Sequence, residues 1–445
     1  MERKPEELSL DDKQEAMFDA WLSPQGVEFV SAEAEKLYKE RVTRIKDAVQ
    51  LRKPPDRVPV FPIIGFFPAY YAGITPEEAM YDYDKLSAAW EKYVLDFEPD
   101  AHLGIGIPTP GKVHEILDYK LYAWPGHGSA PNLSYQCLEQ EYVKEDEYDA
   151  LIQDPSYFFN STYLPRIFGA LEPLKMLSNL TGILEIVFVA PLLIPFGLPD
   201  VQAAYKALFE AGAEALKWVG FVAAHDKKMA AAGFPNFFGG FSKAPFDVIG
   251  DTLRGTRGVM LDMYRQPDKL LQAMEVVTPL MIKLGASAAK MAGNPIVFIP
   301  LHKGADSFLS DEQYRTFYWP TLRKVLIGLI DEGCVPFPWA EGSYNTRLEV
   351  IRDVPKGKVI WGFDRTDMAR TKEILGDVAC IGGNIPVTLL SVGTPQQVRD
   401  YVKQLVDTVG KGGGYIVMNG VALDDVKPEN VRAMIDSTKE FGFYG

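Results

Sequence analysis

The sequence predicts an α/β fold whose regular part is a parallel sheet that closes as a barrel. From Pro295 onward, apolar runs typical of buried strands alternate with helical segments, which is the pattern of parallel βαβ units with right-handed crossovers. A polar side chain follows each apolar run. In a barrel these side chains meet at one mouth, whereas a doubly wound sheet spreads them along an edge, so their convergence favours a barrel.

The strand-like runs share β-branched and aromatic residues and are bounded by turn residues. They are PIVFIP, VPFPWA, KVIWGF, VACIGG and GYIVMN. The helical segments between and after them begin near Ser310, Asn345, Thr366, Thr394 and Lys427. The polar residues that follow the five runs are His302, Glu341, Asp364, Asn384 and Asn419. We therefore expect these side chains at the carboxyl ends of the strands, where barrel enzymes place their active sites.

The N-terminal part predicts an arm of helices over residues 1–55, followed by one large domain over residues 56–445. Helical spacing of apolar residues in the arm ends at Lys53-Pro-Pro, a pattern that stops helices. The run RVPVFPI (57–63) is β-rich, and a capping box from Thr75 to Glu78 opens a long amphipathic helix.

The middle of the chain predicts an insertion and two long helices. Residues of about 104–165 combine glycine and proline punctuation with an acidic run, which indicates an insertion or lid. Helices are expected over 200–232 and 267–291. The apolar stretch Leu180–Leu198 contains Glu185 and two prolines, so we expect a buried helix end and loop there, not a membrane span.

Composition narrows the class of partner. The chain has 445 residues, 47 % of them hydrophobic and 24 % charged, and a net charge of −14, which indicates a globular protein that binds neither nucleic acid nor membrane surfaces. Its three cysteines have no disulfide or zinc-finger spacing, and the charged N-terminus has no apolar signal region. We expect a cytoplasmic protein with small-molecule or protein partners. A homodimer is compatible with these features.

The C-terminal half carries motifs of a known family. The GGNIP turn, the helix led by GTP and the last helix led by PENV resemble the closing third of the uroporphyrinogen decarboxylase superfamily. RVPVFPI, the helix after Thr75 and the GFSKAPFD segment resemble its opening strand, helix and loop. The resemblance covers about residues 55–445 without the insertion and implies a TIM-like (β/α)8 barrel. The superfamily contains decarboxylases and methyltransferases, so the fold leaves the function open.

Two departures from the family pattern restrict that function. True uroporphyrinogen decarboxylases resemble one another in an arginine-rich loop after the first strand, but this chain has IIGFFPAYYAG there. A substrate with eight carboxylates needs such cations, because each desolvated unpaired anion is costly. Thiol-methylating members share a His-x-Cys zinc site and a later cysteine, where this chain has Trp339-Ala-Glu-Gly and Gly420-Val421. Zinc is therefore unsupported by its usual ligands.

The segments PLHKGADSFLSDEQYRTFYWP, PFPWAEG, GFDRTDM and WPGHG resemble the corrinoid-dependent branch of the family, which includes anaerobic O-demethylases. This resemblance implies a methyltransferase that removes the methyl group of a small, aromatic methyl ether and passes it to cobalamin on a separate corrinoid carrier protein. The DxHxxG corrinoid-binding motif is absent, so the cofactor is expected on the partner. Two alternatives stay open: a decarboxylase of a less charged substrate, and a non-catalytic binding protein.

Candidate site residues follow from this chemistry. A departing alkoxide needs an acid or a Lewis acid. The candidate catalytic residues are His302, Glu341, Asp364 and Asp306. The first three are also the candidate metal ligands. The candidate substrate contacts are Trp124, His127, Phe66, Tyr70 and Asn384. The alternatives are a capping histidine for His302, a salt bridge from Glu341 to Arg347, a helix cap for Asp306 and a turn residue for Asn384. Asp367 is expected to cap the following helix.

Overall fold

The computed structural model describes residues 8–444 of the chain. Its centre is a parallel sheet of six strands in sequential order. The strands are Gly240–Phe241, Ile296–Leu301, Val335–Ala340, Ile360–Phe363, Cys380–Ile385 and Tyr415–Asn419. The last five correspond to the five predicted runs, because each run is apolar enough to be buried on both faces.

Two extended segments close the sheet into a barrel of eight extended elements, which are the six strands and these two segments. Val60 and Ile64 form parallel bridges to Val417 and Leu423 beside the last strand. The amide of Asp100 donates to the carbonyl of Val60 (3.1 Å), and His102 bridges to Asn236 just before the first strand. The predicted β-rich run at 57–63 is thus one of the extended elements of the barrel. It pairs with its neighbour through isolated bridges and does not form a regular strand. The predicted barrel is confirmed.

The barrel interior is filled by phenylalanines. Phe61 stacks on Phe237 with ring centroids 4.0 Å apart, and Phe238 stacks on Phe298 at 4.6 Å. Phe337 contacts both Phe237 and Phe238. This packing makes the barrel a solid core that leaves its chemistry to the carboxyl ends of the strands.

The predicted N-terminal helices are Leu10–Leu22 and Ala32–Gln50. The first seven residues of the predicted arm lie outside the described range. Buried Arg44 ties the second helix to the barrel, because its Nη1 donates to Asp100 at 2.7 Å. Asp100 also accepts two hydrogen bonds from Arg57. The arm therefore shares one core with the barrel, and its separation as a domain stays a prediction.

The helix predicted from Thr75 is in fact two helices. The capping box between Thr75 and Glu78 is present and opens Pro76–Tyr81. Asp82 then leaves helical geometry and caps Tyr83–Phe97 through a hydrogen bond from the Lys85 amide. A second capping residue inside the periodic pattern ends one helix and starts another.

The remaining helices of the barrel layer alternate with the strands. They are Phe67–Ala72, Pro199–Ala231, Pro245–Asp247, Gly255–Arg265, Pro267–Ala292, Asp311–Gln313, Trp319–Asp331, Leu348–Ile351, Met368–Leu375, Val387–Val392, Pro395–Leu405 and Pro428–Phe441. The expected starts in the C-terminal half lie within three residues of these bounds. Asp367 caps its helix as predicted.

The insertion is irregular and carries its own small sheet. Its strands are Tyr122–Pro125, Gly128–Ser129 and Gln136–Cys137, and its helices are Gly111–Leu117, Tyr148–Gln153, Pro155–Phe158 and Leu164–Ile167. After it come 3-10 turns at Gly169–Met176, Leu180–Gly182 and Ile194–Gly197 and the short helix Ile186–Leu193. Its lid role stays a prediction.

The apolar stretch Leu180–Leu198 is not buried, which corrects the sequence-based expectation. No residue of the helix Ile186–Leu193 is buried, and Ile186 is 88 % exposed. Over residues 8–444, no single helix is long and apolar enough to cross a membrane. One pair, Ile186–Gly197 with Pro199–Ala231, meets the length and composition test only jointly, with a 73° bend between its halves.

Candidate active site

A cavity of about 250 Å³ opens at the carboxyl ends of the barrel strands. Its floor is aromatic and includes Phe238, Phe298 and Trp339. Two carboxylates, Glu341 and Asp424, lie on its wall. A small flat molecule fits such a cavity, because apolar walls hold the ring while a few polar groups orient it.

An Asp–His–Glu series lies at the edge of this cavity. His302 directly follows the strand Ile296–Leu301, and its Nδ1 is 2.5 Å from Asp251 Oδ2. On the other side, His302 Nε2 is 3.8 Å from Glu341 Oε1. The side chains of His302 and Glu341 are 36 % and 46 % exposed, so each is in part open to solvent and in part desolvated by the surrounding protein. Asp251 thus orients the imidazole, and the imidazole in turn faces the carboxyl group that lines the cavity.

Buried Asp247 fixes the backbone of this series. Its carboxylate accepts the amides of His302 (3.0 Å) and Lys303 (3.1 Å) and the hydroxyl of Tyr318 (2.7 Å). Two ammonium groups reach Asp251 instead: Lys243 at 2.7 Å and Lys303 at 3.0 Å. The backbone is therefore held by a fully buried carboxylate, and the imidazole by a carboxylate with two cations.

The electrostatics separate these carboxyl groups. Burial, together with the charge of Asp251, raises the pKa of Asp247 to about 6. Burial alone would raise the pKa of Asp251, but His302 and the two lysines hold it well below its usual range. Burial opposes the charged form of His302, yet the hydrogen bond and charge of Asp251 raise its pKa. Burial and the neighbouring carboxylates also raise the pKa of Glu341. Proton donors are thus favoured at the cavity edge.

Of the other two predicted catalytic residues, Asp364 lies near the mouth of the barrel and Asp306 does not. Asp364 follows the strand Ile360–Phe363 and accepts the amide of Gly342 at 3.1 Å. Burial raises the pKa of Asp364. Asp306 accepts from Ser343 and Thr346 and lies 3.6 Å from buried Arg347. That placement gives Asp306 a structural contact and does not support the catalytic role predicted for it.

The side chains of the two asparagines at strand ends form hydrogen bonds with the backbone. Asn384 donates to the carbonyl of Thr366 at 2.9 Å, and Asn419, fully buried, binds both the amide and the carbonyl of Ile63. Neither lines the cavity at the mouth. The expectation that all five strand-end polar residues point into one bowl is therefore wrong, because Glu341 alone of the five is among the described residues that line this cavity.

The glycine-rich loop of the insertion forms a second, aromatic cavity of about 210 Å³. Trp124 lines it, and Tyr135 lines both this cavity and the one at the mouth. His127 lines neither: it stacks on Trp124 with centroids 5.0 Å apart and lies 2.8 Å from Glu115. The predicted substrate contact by Trp124 has a cavity to act in, and that by His127 does not.

Phe66 and Tyr70, the two predicted substrate contacts after the first extended element of the barrel, also differ in whether they line a cavity. Buried Phe66 lines the cavity at the mouth. Tyr70 does not line it; its hydroxyl donates to the carbonyl of Asn132 in the insertion at 2.6 Å. Phe66 therefore lies on the cavity wall and its substrate contact stays a prediction, whereas Tyr70 holds the insertion against the barrel.

The candidate metal ligands His302, Glu341 and Asp364 do not form a coordination group. Among residues 8–444, no cluster of three or more histidine, cysteine, aspartate or glutamate side chains is arranged to hold a metal ion. The residues present therefore do not fit the metal version of the site.

Sequence reasoning missed Lys243, Asp247, Asp251 and Lys303. Lys243 follows the two-residue strand Gly240–Phe241, which is too short to give a strand signal. Asp247 and Asp251 are four residues apart on the helical segment after it, one turn from each other. The rule that polar residues follow strands would have found them had that strand been recognised in GGFSKAPFD.

The comparisons with known proteins agree with this architecture. Residues 235–441 match the family model described as uroporphyrinogen decarboxylase (URO-D). A protein named uroporphyrinogen decarboxylase from Methylococcus capsulatus is 29 % identical over 213 residues, covering 45 % of this chain and 59 % of the relative. One of the same name from Psychromonas ingrahamii is 29 % identical over 137 residues, covering 30 % and 38 %. The chain thus spans only part of the length of these relatives.

A solved structure extends the match to the whole fold. A methyltransferase from Methanosarcina mazei superposes with a TM-score of 0.58 at 15 % identity, covering 91 % of this chain and 98 % of the other. At that identity the likeness concerns the fold, a TIM-like barrel. Over residues 235–441, the chain is therefore similar in sequence to the uroporphyrinogen decarboxylase family.

Proposed function

We propose that this protein is a methyltransferase that demethylates a small aromatic methyl ether and passes the methyl group to cobalt on a separate corrinoid carrier protein. The observation that carries the proposal is the Asp251–His302–Glu341 series beside an aromatic-floored cavity. Ether cleavage needs a site for a neutral ring and a proton for the departing oxygen, and the series and the cavity meet these two needs.

A reduced corrinoid, brought by the carrier, supplies the nucleophile that accepts the methyl group. The role of this chain is then to hold the ring against Phe298 and Trp339 with the methyl group directed outward. Glu341, whose pKa is raised by burial, donates a proton to the ether oxygen as its bond to the methyl carbon breaks. His302 can restore that proton across 3.8 Å, and Asp251 keeps its imidazole in position.

The test mixes the pure protein with a reduced corrinoid carrier and a panel of methoxyarenes. We expect the absorbance change of methyl-cobalt with at least one ether, and for an unactivated ether a rate about 10² to 10⁴-fold lower when Glu341→Gln replaces the wild type. Asp306→Asn is the matched control, because Asp306 does not line the cavity. Silence across ethers, amines and thiols with a carrier of proven competence would refute the proposal.

A decarboxylase of a substrate less charged than uroporphyrinogen is the second candidate. The family match over residues 235–441 and the names of the curated relatives favour it. The same proton donors would then protonate the carbon that loses carbon dioxide. Release of carbon dioxide from an added carboxylic acid, without any corrinoid, would establish this alternative over the first.

A further inference from the structure

The cavity inside the insertion (the insertion cavity) adjoins the cavity at the carboxyl ends of the strands (the mouth cavity). Among the described residues, Tyr135 alone lines both. Its ring centroid lies 5.8 Å from that of Phe66, which lines the mouth cavity, and 6.0 Å from that of Tyr122, which lines the insertion cavity. The two cavities therefore meet at this one side chain.

The insertion cavity has the size and the walls to hold a flat ring. Its walls include the rings of Tyr119, Tyr122, Trp124 and Tyr135. The ring of His114 lies among them, with its centroid 5.3 Å from those of Tyr119 and Trp124. An apolar cavity of about 150 Å³ is enough for benzene, so the volume of about 210 Å³ has room for one aromatic ring. Rings packed edge to face or offset against such walls are favoured.

The walls of the insertion cavity carry no charge at neutral pH. None of its described lining residues is a lysine, arginine, aspartate or glutamate. His114 Nε2 lies 2.8 Å from Thr109 Oγ1, and burial lowers the pKa of His114 to about 4, so its imidazole is neutral. A charged group would lose its hydration here without gaining a partner, whereas a neutral ring has no such cost.

Tyr135, where the two cavities meet, is held less firmly than the wall behind it. Within the part of the chain that the structure describes, the hydroxyl of Tyr135 forms no hydrogen bond. The indole of Trp124, in contrast, donates to the hydroxyl of Tyr81 at 3.1 Å. Rotation of the Tyr135 ring therefore breaks no hydrogen bond, while Trp124 stays fixed as a wall.

We infer that the two cavities form one binding site for a substrate with two aromatic rings. The ring that bears the methoxy group lies in the mouth cavity beside Glu341, and a second, neutral ring passes Tyr135 into the insertion cavity. The inference rests on the proposed function for the methoxy group and names the class of substrate. Occupation of both cavities does not require methyl transfer, so it is measured without a corrinoid carrier.

Isothermal titration calorimetry of the full chain compares two probes that differ by one phenyl group. The one-ring probe is p-methoxytoluene, and the two-ring probe is p-benzylanisole. We expect the two-ring probe to bind about twentyfold more tightly, which is the gain for about six further non-hydrogen atoms in a ligand of this size. The same two-ring molecule with a carboxylate on its second ring should bind no more tightly than p-methoxytoluene, because the insertion cavity offers no cation.

A cavity-filling variant locates the second ring. Thr109→Phe places a larger side chain in the insertion cavity, so it should remove the gain of the two-ring probe and leave the affinity for p-methoxytoluene within about threefold. Thr408→Phe is the matched control, because Thr408 is exposed and lines neither cavity, and it should keep the gain. Binding of the one-ring probe shows that a variant is folded.

Saturation-transfer NMR on the wild type needs no variant, and the protons of both rings should receive saturation from the protein. Equal affinities of the two neutral probes, a gain that survives Thr109→Phe, tighter binding of the carboxylate or an unsaturated phenyl ring would each overturn the inference. Failure of the proposed function gives a different result, in which p-benzylanisole binds as expected but transfers no methyl group to a competent carrier.

Discussion

Replacing Asp251 by asparagine should make His302 markedly harder to protonate while leaving its imidazole in place. The 2.5 Å contact between the two side chains is a charge-assisted hydrogen bond, which is worth about 1.5 to 3 kcal/mol. The imidazole is 36 % exposed, so water replaces part of that energy and the lower limit applies. An energy of about 1.4 kcal/mol corresponds to a tenfold lower proton affinity.

Two further charges act in the same direction. Lys243 and Lys303 lie 2.7 and 3.0 Å from Asp251, and in the variant their positive charge near His302 is no longer balanced. The proton affinity of His302 should therefore fall by tenfold or more. The pKa of Asp247, which the charge of Asp251 helps to raise to about 6, should fall as well.

Histidine C2–H signals followed by NMR over pH measure this directly. The chain has five histidines, and the signal of His302 is the one lost in His302→Ala. Asp306→Asn is the control, because Asp306 makes no contact with the imidazole, and it should leave the titration unchanged. An unchanged titration of His302 in Asp251→Asn would refute the assigned contact, and equal changes in both variants would refute its specificity.

Three more predictions address the site and the fold. Glu341→Gln or His302→Ala should reduce turnover of an unactivated methoxyarene by about 10² to 10⁴-fold, and much less for one with an electron-withdrawing group; equal losses would mean that these residues only position substrate. Asp100→Ala, which leaves buried Arg57 without its carboxylate partner, should lower the free energy of unfolding by about 3 to 5 kcal/mol in urea denaturation, whereas exposed Asp56→Ala should cost far less. The pKa of buried His102 is lowered to about 3, so the unfolded chain takes up its proton first, and this histidine alone should lower stability by about 1.5 kcal/mol from pH 6.5 to 5; His102→Phe should remove that part of the slope, whereas His114 and His225, whose pKa values burial lowers to about 4, keep theirs.

The sequence predicted the C-terminal half of the barrel well, because its strands are continuous apolar runs buried on both faces. It predicted the first two extended elements of the barrel poorly. The segment around Asp100 and His102 contains polar residues whose burial depends on Arg57, Arg44 and the long helix, and local periodicity carries no record of such distant partners. The exposure of Ile186 could not be predicted either, since an apolar run does not show what covers it.

The candidate site shows the same division. His302 and Glu341 were predicted because they follow strands, and the structure brings them within 3.8 Å. Asp251 was missed, although its hydrogen bond and charge raise the pKa of His302, because it lies one turn into a helical segment of another unit. Asn419 was included for its position, but a strand-end amide can equally bind a neighbouring backbone. Position after a strand thus predicts proximity to the mouth, and only the contacts decide the role.

The charges of the mouth bear on what distinguishes this chain from the relatives that it resembles. Among the described residues that line the cavity, the ionisable side chains near the ring site are Glu341 and Asp424, and none is a lysine or an arginine. The nearest cations, Lys243 and Lys303, are paired with Asp251. A substrate with many carboxylates would meet repulsion at the wall and lose hydration without a partner. The neutral aryl ether of the proposed function has neither cost, so the lack of lysine and arginine on the described cavity wall supports that proposal over a substrate with many carboxylates.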